Sequence, residues 1–426
     1  MIKKHFNTDF SKHIITLVSG TGIAQAITFL SAPLLSRFYE PEDFTVFALF
    51  SSTASIASVV ATARYELAIP LPKDELDAKS ILRLSLLVCI LISLFSLAGV
   101  FAYDFLSGNY KSDLFTLWFY LLPLSVFATG VYNAFNYWST RIKTFRFNSA
   151  GRIALAIVTS TLSIFLGYIH YGSTGLIIGL VAGQFISMLV LAFPYLSNYK
   201  DFFAGTSHNN VKNQAKIHKS FFRVNSPHAL LDSIQDNGVV YLLSYYFVEA
   251  VTGWYSFAFR ILKAPVGLIG SAFYQVFYQK LSQVKNDGAD LRPLVKKMYL
   301  RMFLIGFPGF LLLFLFTPEI FSFIFGSKWH EAGVIARVII PWLFLNFIVS
   351  PVSCITLVCQ RQKQAFLFTI GDSLVRFSAL IIGGIQNDYM LSFIIISVFS
   401  SSLMLFALWW YYSIAKQHST LPNAIQ

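Results

Sequence analysis

Eight ionisable side chains lie in segments that are otherwise apolar and about 20 residues long, the length that crosses a bilayer. They are four cations, Arg64, Arg260, Lys263 and Arg376, and four acids, Glu66, Asp232, Asp236 and Asp372. A charge at the bilayer centre costs roughly 2.5–3.5 kcal/mol. Eight such charges facing lipid would cost more than the roughly 5–15 kcal/mol by which proteins are stable. We therefore expect most of them to face water or one another.

The spacing of the charges leaves structural and functional interpretations open. Arg260 and Lys263 lie near the middle of their segment, too deep to reach the interface easily. Arg64 is close to the cytoplasmic end of its segment, so extension of its side chain to the interface is the alternative to a buried role. Asp372 and Arg376 are four residues apart, the spacing of an ion pair within one helix, so they serve either the fold or the function.

Two groups of polar residues follow helical spacing. Residues on one face of the seventh segment are Asn225, His228, Asp232, Gln235 and Asp236. Two carboxylates one turn apart repel when both are ionised, so one is expected to bind a proton readily, as proton coupling requires. Structural pairing with Arg260 or Lys263 is the alternative. The second segment carries a stripe of Ser51, Ser55, Ser58, Thr62 and Glu66. Its hydroxyls also suit helix packing, whereas packing does not require the carboxylate.

The composition determines the kind of element that must hold these residues. Of the 426 residues, 56% are hydrophobic and 12% are charged, whereas soluble proteins carry about 25% charged residues. The chain therefore cannot cover a soluble globule with polar surface. Twelve segments are long and apolar enough to span a membrane: 14–38, 44–69, 81–103, 114–138, 148–171, 175–196, 226–247, 251–277, 299–316, 335–358, 365–385 and 389–412.

Loop charges predict the orientation. If the N-terminus is cytoplasmic, 24 of the 32 Lys and Arg residues fall in cytoplasmic loops and only four in loops on the other side. By the positive-inside rule both termini are cytoplasmic. The chain has no soluble basic domain for nucleic acid, and we expect at most attraction to anionic membrane lipid.

An internal repeat suggests two halves. The polar stretch 197–225 is interpreted as a linker, and Leu34–Tyr39 is echoed 208 residues later by Leu242–Phe247. We therefore predict an N-terminal six-helix bundle at 1–210 and a C-terminal six-helix bundle at 211–426. Six spans keep the two halves in one orientation, an arrangement that commonly encloses a central cavity.

Several motifs resemble those of one bacterial family. They are LVSGT at 17–21 with Gln25, APLLSRFYEPEDF at 32–44, ARYELAIPLP at 63–72 and GSKWHEAG at 326–333, followed by Pro341-Trp342 and Ser350-Pro351. They are similar to Wzx-type lipid-linked oligosaccharide (O-antigen) flippases. These belong to the polysaccharide biosynthesis family of the multidrug/oligosaccharidyl-lipid/polysaccharide exporter superfamily. Thr45 departs from the family, which usually has Gly there.

The resemblance implies a fold and a function. The fold is all-α, a polytopic membrane protein with about 12 transmembrane helices in two six-helix bundles around a central cavity. The function is to flip an undecaprenyl-diphosphate-linked oligosaccharide, an O-antigen or capsule repeat unit for lipopolysaccharide or capsule assembly. Transport would run from the inner to the outer leaflet of the bacterial inner membrane by alternating access, driven by H+, Na+ or the membrane potential.

The resemblance also assigns roles. The cations Arg64, Arg260, Lys263 and Arg376 would bind the diphosphate and acidic sugars through charge-assisted hydrogen bonds. Polar or aromatic cavity groups would be Gln25, Tyr65, Asn133, Asn136, His228 and Tyr255. Ion-coupling candidates are Glu66, Asp232, Asp236 and Asp372. Expected partners are membrane lipids, a polysaccharide polymerase and a chain-length regulator.

Two alternatives remain. One is a cation-coupled multidrug antiporter of the same fold, and the other is a membrane polysaccharide polymerase. The sequence has no Walker A loop, HExxH helix, GxSxG elbow or Cys/His ligand cluster, so we predict no catalytic residue, metal site or cofactor. A polymerase would usually need a long outer loop, which the predicted segments do not leave.

Overall fold

The computed structural model describes residues 8–107 and 118–419, and within them the regular structure is helical, with no strand. Its long helices, numbered α1 to α12 in chain order, follow the predicted segments. They are α1 (Thr8–Phe38), α2 (Pro41–Val59), α3 (Glu75–Ser107), α4 (Leu122–Arg141), α5 (Phe145–Tyr168), α6 (Ser173–Leu196), α7 (Ser226–Tyr246), α8 (Glu249–Asn286), α9 (Arg292–Phe325), α10 (His330–Val349), α11 (Gln362–Ile385) and α12 (Tyr389–Ser419). The start of the fourth predicted segment, 114–117, lies outside the described residues.

The described helices are those of a multi-pass membrane protein. Eight segments, containing α3, α5, α6 and α8 to α12, are long and apolar enough to cross a membrane. The other four long helices are α1, α2, α4 and α7. Three of them carry predicted site residues, among them Gln25, Asn136 and Asp232. Polar side chains are tolerated at membrane depth where they face protein or water rather than lipid.

The chain divides into two compact units, Met1–Val240 and Tyr241–Gln426. In the first unit, α5 packs against α1 and α6, while α4 packs against α2, α3 and α6. In the second unit, α10 packs against α8, α9 and α12, and α11 packs against α12. The predicted halves, 1–210 and 211–426, stay a prediction.

A helix break recurs at the spacing of the sequence repeat. Helix α1 ends at Phe38 and α2 begins at Pro41, and 208 residues later α7 ends at Tyr246 and α8 begins at Glu249. The aromatic side chains at each break pack against a glycine near the end of a later helix, which is α5 for the first break and α11 for the second. A Cβ placed on Gly167 would lie 2.7 Å from the Tyr39 ring, and Gly384 lies against Tyr246 in the same way. The two breaks therefore share both their position and their packing.

The predicted linker is folded onto the first unit. It forms a helix at His208–Ile217, where the Ser207 hydroxyl accepts a hydrogen bond from the Asn210 backbone N–H at 3.1 Å. This helix buries Val211 and packs against α3. Beyond it, burial lowers the pKa of His218 below its ordinary value, and the neutral ring packs on Phe221 at 6.0 Å.

The end of α2 differs from the sequence prediction. The predicted second segment runs to residue 69 as one helix, but α2 ends at Val59 and a short 3-10 helix follows at Tyr65–Ala68. Ala63 and Arg64 between them have φ angles of 50° and 61°, which a continuous right-handed helix does not allow. The turn is buried against α4, where a Cβ on Gly130 would lie 2.9 Å from the Cβ of Ala61. Tertiary packing thus ends a helix that the polar spacing alone would continue.

Arg141 holds the connection that follows this turn. From the end of α4, its Nη1 donates to the carbonyl oxygens of Ile69 at 3.2 Å and Pro72 at 2.6 Å. Its Nη2 donates to the carbonyl oxygens of Lys73 at 3.4 Å and Asp74 at 3.3 Å. A planar guanidinium has five donors in a fixed geometry, which a lysine ammonium cannot reproduce. In the sequence, Arg141 is one of the 24 cations assigned to cytoplasmic loops, with no further role predicted.

We predict that Arg141→Lys loosens the connection between α2 and α3 without unfolding the long helices. Lost charge-assisted hydrogen bonds are worth about 1–3 kcal/mol, so the open population of the connection should rise roughly ten- to hundredfold. The measurement is the rate of tryptic cleavage after Lys73 in the purified, detergent-solubilised protein. The control is Arg146→Lys, because Arg146 packs over its neighbour Phe147. Equal cleavage rates in both variants would contradict the role given to Arg141.

Candidate functional site

Arg64 and Glu66 form a buried pair in the turn after α2. The Glu66 side chain is 2% exposed, its Oε1 lies 3.6 Å from Arg64 Nη1, and the Thr62 hydroxyl donates to its Oε2. A helical wheel places Arg64 nearly opposite Glu66, and this expectation is wrong because the residues are not in an α-helix. The left-handed backbone at Arg64 turns the two side chains toward each other. Much of the charge of Glu66 is therefore balanced within the turn.

Tyr65 lies between these two residues and is buried on the other side of the turn. It belongs to a small apolar cluster with Ala63, with Leu84 of α3 and with Val211 of the linker helix. This position ties the turn to the linker. A sugar contact at Tyr65 stays a prediction.

A polar cluster in the first unit is built around one cation, Arg152, and was not predicted from the sequence. Arg152 of α5 donates through Nη1 to the Thr21 hydroxyl of α1 at 2.5 Å, and it also forms a side-chain hydrogen bond with Tyr132 of α4. No carboxylate of the described residues forms an ion pair with Arg152. In the sequence it is one of the 24 cations assigned to cytoplasmic loops, but in the structure it is the eighth residue of α5. Arg152 lies four residues inside the predicted fifth segment, 148–171, and this position is the sequence signal that it belongs to a helix rather than to a loop.

Polar amides lie on the same helices as this cluster. Asn148 of α5 donates to Asn136 Oδ1 of α4 at 2.8 Å. Asn148 Oδ1 and Gln25 Oε1 are buried and have no hydrogen-bond partner among the described residues. Gln25 lies one helical turn from Thr21, and Asn133 is half-buried one residue after Tyr132. All three predicted amides, Gln25, Asn133 and Asn136, thus lie on α1 and α4, the two helices that Arg152 contacts.

Helix α7 carries two carboxylates with different surroundings. Asp232 Oδ2 lies 3.1 Å from His228 Nδ1, and both side chains are about half exposed. Asp236 is exposed and has no ion pair with the described residues. The spacing expected from the sequence is therefore present, and His228 contacts one of the two acids.

In the second unit, a ladder of aromatic rings joins α8, α10 and α12. Tyr255 stacks on Phe393 and on Phe259 with centroid distances of 5.4 Å in both cases, and Phe259 stacks on Trp342 at 6.2 Å. Two predicted cations lie over these rings. Lys263 Nζ is 5.0 Å from the Phe259 centroid, and Arg376 Cζ is 4.8 Å from the Trp342 centroid. The ladder therefore brings Tyr255, Lys263 and Arg376 into one site.

Arg376 is balanced by an acid, as its spacing allowed. Arg376 Nη2 pairs with Asp372 Oδ2 within α11, and the Ser400 hydroxyl donates to Asp372 Oδ1 at 2.9 Å. Arg376 Nε and Trp342 Nε1 are buried donors with no partner among the described residues. Buried donors normally have partners, so these two atoms mark a place for water or ligand oxygen.

Lys263 is the exposed cation of the ladder. It is fourteen residues from the start of α8, or about 20 Å along the helix, and so lies well inside a helix that is long and apolar enough to cross a membrane. No carboxylate of the described residues forms an ion pair with it. Arg260, three residues earlier, is half-buried. An uncompensated ammonium at this depth requires water or an anion beside it.

The structure therefore separates the predicted residues into groups. Arg64, Tyr65 and Glu66 form a folded turn, Gln25, Asn133 and Asn136 lie on the helices around Arg152, and Tyr255, Lys263, Asp372 and Arg376 meet at the ladder. His228, Asp232 and Asp236 lie along α7. Among the described residues, no group of His, Cys, Asp and Glu side chains is arranged to hold a metal ion.

Solved structures share this fold at low sequence identity. The lipid II flippase MurJ, in an inward closed conformation, matches with a TM-score of 0.72 and 14% identity, over 95% of this chain and 90% of that chain. An inward-facing multidrug resistance transporter of the MATE family matches with a TM-score of 0.67 and 14% identity, over 95% and 96%. A MOP superfamily transporter from Pyrococcus furiosus matches with a TM-score of 0.65 and 14% identity, over 96% and 97%.

Comparison with curated protein sequences finds no match. A family model described as "Polysaccharide biosynthesis protein" matches residues 34–334, from the end of α1 to the start of α10. This range includes the Arg64–Glu66 turn, Arg152 and Lys263. The match also confirms the family that the sequence motifs resemble. The chain belongs to the polysaccharide biosynthesis protein family and has the fold of the MOP superfamily transporters.

Proposed function

We propose that the protein flips an undecaprenyl-diphosphate-linked oligosaccharide from the inner to the outer leaflet of the bacterial inner membrane. The substrate is an O-antigen or capsule repeat unit, and transport proceeds by alternating access with both termini in the cytoplasm. The observation that carries the proposal is Lys263, an exposed cation about 20 Å along α8, held against an aromatic ring and without a described carboxylate partner. Family membership supports the same substrate class.

The chemistry around Lys263 suits both parts of such a substrate. An ammonium and a guanidinium form charge-assisted hydrogen bonds with phosphate oxygens, and Arg260 is one helical turn from Lys263. Sugar rings present C–H faces to aromatic side chains and hydroxyls to polar ones. Tyr255 and the free Nε1 of Trp342 offer both kinds of contact within the ladder. The lipid tail would remain in the bilayer.

Arg152 gives the first unit a cationic group of its own. It extends from α5 to Thr21 and Tyr132, and unpaired amide oxygens of Gln25 and Asn148 lie on the same helices. A cation surrounded by neutral hydrogen-bonding groups favours an anionic or strongly polar ligand. The observation supports transport of a charged, hydroxyl-rich molecule rather than of a hydrophobic cation.

Ion coupling, in this proposal, belongs to α7. Glu66 and Asp372, two of the four predicted acids, are paired with Arg64 and Arg376. Asp236 is exposed and has no described ion pair, whereas Asp232 contacts His228. We propose that H+ or Na+ binds at these two acids during return of the empty carrier. The membrane potential contributes about 2.3 kcal/mol per charge per 100 mV.

The same observations weigh against the alternatives. A cation antiporter needs carboxylates available to its substrate, and pairing removes Glu66 and Asp372 from that role, which leaves Asp232 and Asp236 of the four predicted acids. A polymerase needs a folded region outside the membrane. Of the connections on the side opposite the linker, the five that lie wholly within residues 8–107 and 118–419 are short, such as the two residues between α1 and α2 and the two between α7 and α8. A polysaccharide polymerase and a chain-length regulator fit better as partners of the flippase.

We predict that the double variant Arg260→Gln/Lys263→Gln abolishes transport. In cells that depend on this gene for surface polysaccharide, the amount of polysaccharide should fall at least about tenfold, because two charge-assisted contacts are lost. Lipid-linked oligosaccharide should accumulate on the cytoplasmic leaflet. Lys280→Gln, the same change in the same helix away from the ladder, is the control. Normal polysaccharide in the double variant, at wild-type protein level, would contradict the proposal.

We also predict that variants of Asp372 and Arg376 distinguish the contribution of this pair to stability from its contribution to transport. Breaking a buried ion pair by removing one partner costs about 3–5 kcal/mol, and removing both relieves much of that loss. Asp372→Asn and Arg376→Gln should each lower the melting temperature, and the double variant should recover most of it. If Arg376 contacts substrate, the double variant remains inactive in the polysaccharide assay. Recovery of both stability and polysaccharide would assign the pair to the fold alone.

A further inference from the structure

A cavity of about 220 Å³ lies in the first unit, and none of the predicted site residues lines it. It is formed by α3, α4, α6 and the short helix Tyr199–Phe202. Six of its eight lining side chains are apolar: Leu86, Leu87, Ile90, Phe127, Val131 and Met188. The other two, Arg83 and Tyr199, are polar or charged. We call it the α3 cavity.

The α3 cavity opens on a face of α3 that is apolar and exposed. Leu87 and Ile90 at its edge are each 45% exposed, and Leu91 and Leu94 continue the exposed face along the helix. In a membrane protein such a face contacts lipid chains. The inner wall is rigid by comparison, since Val131 and Met188 are buried in the core of the unit.

Arg83 provides a cation at one end of the cavity. Its Nη1 donates to the carbonyl oxygen of Thr206 at 3.0 Å and to the Thr206 hydroxyl at 3.1 Å. A guanidinium has five N–H donors, so others remain for a ligand. No carboxylate of the described residues forms an ion pair with Arg83. Tyr199, 46% exposed, lines the same cavity, and tyrosines favour the membrane–water interface.

We propose that the α3 cavity binds one acyl chain of an anionic phospholipid, whose phosphate is held by Arg83. Arg83 and Ile90 are seven residues apart, about 10 Å along α3, or one third of the roughly 30 Å hydrocarbon core. The volume is below the roughly 300–1,000 Å³ of pockets that enclose a whole small ligand, which fits part of an elongated one. Its fixed inner wall favours an unbranched acyl chain over a methyl-branched polyprenyl chain.

The bound lipid would connect the membrane to the linker. Arg83 holds Thr206, which lies just before the linker helix His208–Ile217. A basic group between membrane helices is a common place for anionic headgroups. Lipid composition would thereby affect the stability of the linker contact, whichever molecule the protein transports.

The test is native mass spectrometry of the full-length protein in detergent, titrated with phosphatidylglycerol or phosphatidylcholine. We expect one phosphatidylglycerol to bind at least about tenfold more tightly than phosphatidylcholine, because only the first carries net negative charge. Arg83→Gln should remove this preference. Ile90→Trp, which fills the cavity, should weaken both lipids. Leu94→Trp on the same exposed face is the control and should bind as the wild type does.

Three outcomes would overturn the proposal. They are equal affinity of the wild type for both lipids, unchanged binding in Arg83→Gln and Ile90→Trp, and displacement of phosphatidylglycerol by equimolar polyprenyl phosphate. Photo-crosslinking from a benzoylphenylalanine at Ile90 or Leu94 covers the case in which Ile90→Trp does not fold. Crosslinks to phosphatidylglycerol from position 90 in excess of position 94 support the site, and equal crosslinking contradicts it.

Discussion

The free-energy cost of charge inside a bilayer, roughly 2.5–3.5 kcal/mol for each ionised group facing lipid, is the constraint on which the arrangement of this protein depends. Four of the eight ionisable groups in the predicted membrane segments form two ion pairs, Arg64–Glu66 and Asp372–Arg376. Asp232 contacts His228 on α7. These pairings lower the free-energy cost of placing these charges in otherwise apolar segments. They also identify Lys263 and Asp236, which have no described ion pair, as the groups with a function left to explain.

The pairs depend on particular backbone geometry. Glu66 and Arg64 meet because α2 ends at Val59 and the chain turns with positive φ at Ala63 and Arg64. Backbone conformations of this kind persist only where their surroundings enforce them. Here the burial of Ala61 beside Gly130 and the hydrogen bonds from Arg141 supply that enforcement. In the second unit, Lys263 and Arg376 are held by aromatic rings rather than by a turn.

The elements of the fold were predictable because hydrophobicity over about 20 residues reports directly on membrane helices. The helix break at Phe38–Pro41 and its repeat at Tyr246–Glu249 were visible as matching sequence. The turn after α2 was not, because Ser, Thr and Ala fit a helix and only contacts distant in sequence end it. Arg152 was overlooked because a cation near a predicted segment end resembles a loop charge. Its contact with Thr21 joins residues 131 apart, which no local pattern reveals.

The central claim is that the protein transports a lipid diphosphate with attached sugars. It is tested most directly with purified protein in liposomes that carry a fluorescent undecaprenyl-diphosphate-linked oligosaccharide and, separately, a neutral glycolipid with the same sugars. Accessibility of the sugars to an external glycosidase reports translocation across the bilayer. The account predicts protein-dependent translocation of the diphosphate lipid and little of the neutral one. Equal movement of both lipids, or no movement of either alongside exchange of an organic cation for protons, would contradict it.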